Sequence, residues 1–138
     1  AHGIYLPSLR SEALGEVVVA IDTSGSISEA DLATFEGELN GILECQPCRV
    51  SVVYCDARVH RVDHWEPSDG PLELQPCGGG GTSHEPIWQW IKQQGADPAA
   101  VVCLTDGYTS FGEAPGYPVL WALTSDVEPP FGRKLRIE

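Results

Sequence analysis

Residues 17–31 read VVVAIDTSGSISEAD. Five apolar residues, mostly β-branched, run into an acid, then into hydroxyl residues spaced around a glycine. An uninterrupted apolar run of strand length marks a strand buried on both faces, as in a parallel sheet, and residues 16–21 are predicted to form it. Ser28 with Asp31 makes a capping-box start, because Ser28 can accept from the third helical N–H. Leu32, Phe35, Leu39, Ile42 and Leu43 follow at helical spacing with Glu36, Glu38 and Asn40 between them. That periodicity predicts an amphipathic helix over roughly 28–44.

The same reading extends along the chain. RVSVVYC (49–55) and VHRVDHW (59–65) are predicted strands, separated only by Asp56, Ala57 and Arg58. So short a link permits a hairpin and forbids a parallel crossover, so the second of the pair is expected at an antiparallel edge. Residues 66–81 are loop-rich and end in Gly78–Gly81. A second helix is expected from Ser83 or His84, with Pro86 near its first turn and Ile87, Trp90 and Ile91 as its apolar stripe. Strands are predicted at 99–105, 118–123 and, more briefly, 135–138, with short helices left open in the remaining loops. Strands alternating with helices imply an open, mostly parallel, Rossmann-like α/β sheet with helices on both faces. Ligands of such sheets sit beyond the carboxyl ends of the strands.

Three segments are expected at that edge: Asp22, Ser24 and Ser26 after the first strand, Thr82 after the glycine run, and Asp106 after the strand AAVVCLT. Two carboxylates and three hydroxyls are hard oxygen donors, suited to Mg²⁺, with Mn²⁺ or Ca²⁺ less specified. Two carboxylates ~4 Å apart repel by about 4 kcal/mol at an effective dielectric of 20, which a cation would relieve. Residues two apart on a chain leaving a strand project to one side, and Gly25 allows a tight turn between the serines. Three of the five donors are neutral, so the metal would keep Lewis acidity for a further ligand such as a partner's Glu or Asp carboxylate.

DTSGS, GGGGTS and LTDGYT together resemble the metal-ion-dependent adhesion site of von Willebrand factor A domains: Asp-x-Ser-x-Ser, a loop Thr, then an Asp. Asp22, Ser24, Ser26, Thr82 and Asp106 fill the five positions in order, and the resemblance covers roughly residues 16–125. More narrowly, YLPSLRSEALGEVVVAIDTSGSI, VVYCDA, GGGGT, TDGY and YPVLWAL resemble a bacterial subfamily found C-terminal to a predicted metallopeptidase-like region. The resemblance implies metal-mediated protein recognition without catalysis in this chain, and makes residues 1–15 a junction to an upstream region, with residues 16–138 as the domain. By analogy with other bacterial proteins carrying such domains, an AAA+ ATPase is an expected partner.

Other features set bounds. The chain has 138 residues and a net charge of −12, from 20 acids against 8 Lys and Arg, which disfavours nucleic acid. No apolar run approaches the ~20 residues that span a bilayer. No Met occurs, so a piece of a longer protein is expected. Cys55 and Cys103 fall in apolar runs, which suggests reduced, cytoplasmic usage. Cys45 and Cys48 form CQPC, but Cys77 stands alone, so a four-cysteine zinc site is not expected. His84-Glu85-Pro86-Ile87-Trp88 begins like a zinc-peptidase helix, with Trp88 where the second His belongs. His60 and His64 lie ~13 Å apart on one strand, too far to share a metal. Trp88 and Trp90 cannot both face the core from one helix and are read as core or boundary packing, while Tyr108 is a candidate for a partner-contact rim. Two alternatives stay open: a metal-dependent hydrolase or phosphatase-like enzyme built on Asp22, although Ser24 stands where a second Asp would serve as general acid, and a metal that is purely structural. No Gly-Lys-Ser/Thr follows the glycine run, so a phosphate loop is not expected.

Overall fold

The structure, a computed structural model, describes residues 16–23, 27–55, 59–75, 85–95 and 97–137. Among the described residues nine elements follow in chain order. β1 (Val17–Asp22) leads into α1 (Glu29–Cys45), then β2 (Val50–Cys55) and β3 (Val59–Trp65). A 3₁₀ turn at Pro67–Asp69 precedes α2 (Glu85–Gln93), which is followed by β4 (Ala100–Thr105), β5 (Val119–Leu123) and β6 (Arg133–Arg136).

The strands form one six-stranded sheet in the order β3-β2-β1-β4-β5-β6. β1 runs parallel to both β2 and β4, β4 to β5, and β5 to β6; only the β2–β3 pair is antiparallel. The expected α/β class and antiparallel edge strand therefore stand. β1, β2, β4 and β5 are buried along their whole length, which is why they read as unbroken apolar runs. β3 has exposed and half-buried residues interleaved, as an edge strand should.

Alternation along β1 divides the core. Val17, Val19 and Ile21 face a cluster that includes Leu32, Phe35, Leu39 and Leu43 of α1. Val18 and Ala20 face a second cluster with Ile87 and Ile91 of α2. The two helices thus cover opposite faces. Ser28 caps α1 as its spacing predicts: its Oγ accepts from Asp31 N at 3.0 Å, and the Asp31 carboxylate accepts from Ser28 N at 3.2 Å. Glu36 and Asn40, polar residues between the apolar positions of α1, hold the following loop. Asn40 Nδ2 donates to Leu72 O at 2.9 Å and its Oδ1 accepts from Leu72 N at 2.8 Å, while Glu36 accepts from Leu74 N at 2.6 Å.

The connections β4–β5 and β5–β6 are parallel crossovers, yet residues 106–118 and 124–132 contain no helix. Gly107, Gly112, Pro115, Gly116 and Pro118 break any helical run in the first. Aromatic side chains cover the sheet there instead: Phe111 and Tyr117 from the first crossover and Phe131 from the second pack on the α2-face core around Trp121. Trp121 is fully buried, and its ring meets Phe111 edge-on at 4.9 Å and Phe131 at 5.7 Å between centroids. The last strand lies two residues earlier than its apolar residues suggested. It pairs Leu120 with Arg133 through Leu123 with Arg136, so backbone pairing places charged residues on an exposed edge.

Candidate metal centre

The carboxyl ends of β1 and β4 lie side by side, since Ile21 is in register with Leu104. They also mark the point where the strand order reverses. From β1 the chain crosses by α1 on one face to β2; from β3 it crosses by α2 on the other face to β4. In open α/β sheets that crevice is where ligands bind. Asp22 closes β1, and Asp106 follows the last residue of β4.

Asp22 is 1% exposed. A carboxylate so deeply buried needs donors or a cation to compensate lost hydration. One donor is Thr105, whose Oγ1 gives its proton to Asp22 Oδ2 at 2.7 Å. Thr105 Oγ1 in turn accepts from Gly107 N at 3.1 Å. A three-membered chain therefore runs from the Gly107 amide through Thr105 to Asp22 and fixes the carboxylate's orientation. Thr23 is 4% exposed, and its Oγ1 has no hydrogen-bond partner among the described residues. Thr23 directly follows Asp22 in the chain, and an unsatisfied buried hydroxyl is costly unless water or an oxygen-ligated cation takes it up.

Asp106 is held at a braced corner. Its Oδ1 accepts from Tyr108 N at 2.9 Å, and its carbonyl oxygen accepts from Ser125 Oγ. Ser125 Oγ also accepts from Val127 N at 3.2 Å, and Thr124 N donates to Thr105 O at 3.1 Å. Gly107 turns the corner at φ +85°, where a Cβ would also stand 2.7 Å from Val127 Cβ. Tyr108 leaves this corner 73% exposed, the large apolar side chain most open to solvent among the described residues.

Of the five predicted ligands, Asp22 and Asp106 are thus brought to adjacent strand ends, whereas Ser24, Ser26 and Thr82 lie outside the described residues. The latter group is joined there by the junction 1–15, the Gly78–Gly81 run, Cys77 and His84. Among the described residues no cluster of three or more His, Cys, Asp or Glu side chains is gathered for a metal. A centre of two carboxylates and neutral hydroxyls does not require one. The all-oxygen donors of this edge and the orphaned Thr23 hydroxyl fit a hard divalent cation. Thr105 and Ser125 were missed as members of the site. The sign for Thr105 was a lone hydroxyl ending an otherwise apolar strand, directly before Asp106.

The remaining polar candidates stand elsewhere. Cys45 is exposed at the end of α1, while Cys48 is buried and burial raises its thiol pKa. His60 and His64 are exposed on β3, and His64 Nδ1 lies 3.0 Å from Ser51 Oγ, at the end of the sheet away from Asp22.

Residues 17–138 match the family of VWA-like domains (DUF2201). The chain belongs to that family. An uncharacterized protein of Thermotoga maritima is 31% identical over 110 residues, covering 76% of this chain and 26% of that protein. This VWA-like chain thus spans about a quarter of that relative's length.

Proposed function

We propose that this VWA-like domain is a divalent-metal-dependent protein-recognition module. The observation that carries the reading is the pair Asp22 and Asp106 at the ends of neighbouring parallel strands, where the strand order reverses. Asp22, Ser24, Ser26, Thr82 and Asp106 would hold Mg²⁺, with Mn²⁺ or Ca²⁺ as substitutes, and a partner would supply a Glu or Asp carboxylate. Membership of the family supports the coarser half of this, since VWA-like domains commonly mediate protein–protein interaction. When bound, the metal supplies a Lewis-acid anchor for that partner carboxylate.

Recognition is favoured over catalysis because Asp22 is buried and its Oδ2 is engaged by Thr105, whereas a nucleophile needs open access to its substrate. In the longer protein we place the domain beside a metallopeptidase-like region that it docks or regulates, with an AAA+ ATPase as a partner. We assign it to the cytoplasm, a reading supported by the burial of Cys55 and Cys103 within apolar strands. No helix among the described residues is long and apolar enough to cross a membrane.

The test is a Mg²⁺ titration at constant ionic strength, because a chain of charge −12 is stabilised non-specifically by any added cation. The wild-type protein should give a saturable heat and a rise in melting temperature, and Asp22→Ala should give neither while remaining folded. A flat titration of the wild type rejects the metal. Retention of the partner by a full-length Asp106→Ala protein, in a pull-down with and without chelator, rejects recognition through the metal and leaves the ion a structural one.

A further inference from the structure

We infer that a hollow beside the C-terminal end of α1 is a docking site for an arginine side chain of a partner protein. It lies at the end of the sheet away from Asp22. Trp65, which closes β3, is in register with Val50, the first residue of β2, whereas Asp22 pairs with Cys55 at the other end of that strand. The site therefore needs no metal and stands apart from the recognition proposed above. The cavity measures about 340 Å³, within the size range of specific ligand sites. Leu43, Glu44 and Pro47 line it from the α1 side, and Trp65, Pro67 and Pro71 from the end of β3 and the loop that follows.

The chemistry of the lining selects the occupant. Trp65 Nε1 is engaged, donating to Gly70 O at 3.0 Å, so the indole offers π surface to a ligand. Glu44 carries the one formal charge of the lining. It sits in the last turn of α1, which holds no basic residue. Aligned peptide dipoles place roughly half a negative charge at that end, so Glu44 adds to a potential that a Lys or Arg would ordinarily relieve. Among the described residues no ion pair involves Glu44. A cation from outside relieves both charges. Arginine suits the rest of the lining: its methylenes lie against proline rings, and its planar guanidinium stacks on an indole and pairs with a carboxylate through two N–H groups. The rim favours a side chain presented by a protein. Pro47, Pro67, Gly70 and Pro71 are exposed, so a partner's backbone can rest outside while its arginine enters. The chain's net charge of −12 draws a basic surface toward it. The hollow is also preformed. Asn40 ties Leu72 to α1, and the turn at its mouth is closed by Glu66 N donating to Asp69 Oδ2 at 2.8 Å and Asp69 N donating to Glu66 O at 2.9 Å. Little ordering is then required on binding.

An NMR titration of the intact chain tests this, with chelator present and at about 0.15 M salt, where exposed charges more than ~8 Å apart are largely screened. The probes are a blocked Gly-Arg-Gly peptide and the same peptide with citrulline, the neutral isostere of arginine. The arginine peptide should shift the Trp65 indole N–H and the amides of Glu44 and Gly70 saturably, with a millimolar dissociation constant. Citrulline in the peptide, or Glu44→Gln in the protein, should weaken binding by roughly fivefold or more, as loss of a charge-assisted hydrogen bond does. Should Glu44→Gln fail to fold, the citrulline comparison on the wild type carries the test. No saturable shift in the millimolar range, equal binding of the citrulline peptide, or unchanged affinity in a folded Glu44→Gln protein overturns the site. Free arginine binding as tightly as the blocked peptide makes the occupant a small molecule and overturns the partner protein. None of these outcomes bears on the Mg²⁺ reading, and a flat Mg²⁺ titration leaves this site standing.

Discussion

Thr105 has two hydrogen-bonding roles at once: its hydroxyl donates to Asp22 and accepts from the Gly107 amide. Valine matches its shape and offers neither. Thr105→Val should therefore strand a buried amide and remove a donor from a buried carboxylate, costing about 1–3 kcal/mol in urea unfolding. Because the same bond aims Asp22, the substitution should also weaken Mg²⁺ binding, whereas Thr105→Ser should keep most of both. A Thr105→Val protein with wild-type stability and wild-type Mg²⁺ affinity would show that the chain Gly107–Thr105–Asp22 orients nothing. The importance of Thr105 was hidden in the sequence because a hydroxyl at a strand end is ordinary. Only the register that puts Thr105 beside Asp22 gives it a task.

At the scale of elements, the buried strands and α1 were legible because burial imposes its own pattern. EVVVAI, RVSVVYC and AAVVCLT can be little else than strands covered on both faces, and the Ser28–Asp31 box marks where α1 starts. The regions 106–118 and 124–132 were not legible in the same way. Their glycines and prolines exclude helices, but nothing local states that Phe111, Tyr117 and Phe131 will take a helix's place on the sheet. That depends on Trp121, whose Nε1 donates to Phe131 O at 2.8 Å. Gly132 permits this staple: it sits at φ +80°, and a Cβ there would stand 2.7 Å from Val119 O and 3.0 Å from Trp121 Nε1. Gly132→Ala should thus cost at least about 1 kcal/mol from backbone conformation alone, with the clash added to it. The damage should fall on β6, read as faster amide exchange in 133–136 before β1–β4 are affected. Equal exchange in the variant and the wild type would mean that the staple does not hold the β6 edge.

Over the whole molecule, the spatial order of the strands could not be read from the chain, since each apolar run is equally fit for any central position. The order decides the site, because only the reversal at β1 and β4 brings Asp22 and Asp106 to one crevice. The two faces of that sheet differ in a way that alkaline pH should expose. The α2 face buries Cys103 and half-buries Tyr117. Burial, with Cys55 adding to it, raises the Cys103 thiol well above its usual 9.0. Burial, with Cys103 adding to it, raises the Tyr117 phenol from 10.0 to about 12. Both groups bind their proton more tightly when folded. Their contribution is complete below about pH 9, and it falls as the unfolded thiol and phenol ionise, the phenol's part being lost between about pH 10 and 12. Stability should decline from about pH 9 upward in urea melts run under reductant. The chain's −12 charge grows more negative over the same range and adds general repulsion, so the decline alone does not identify its source. Cys103→Val with Tyr117→Phe removes both titrations and leaves the repulsion. If the double variant loses stability with pH as steeply as the wild type, the α2-face core is not what fails in alkali.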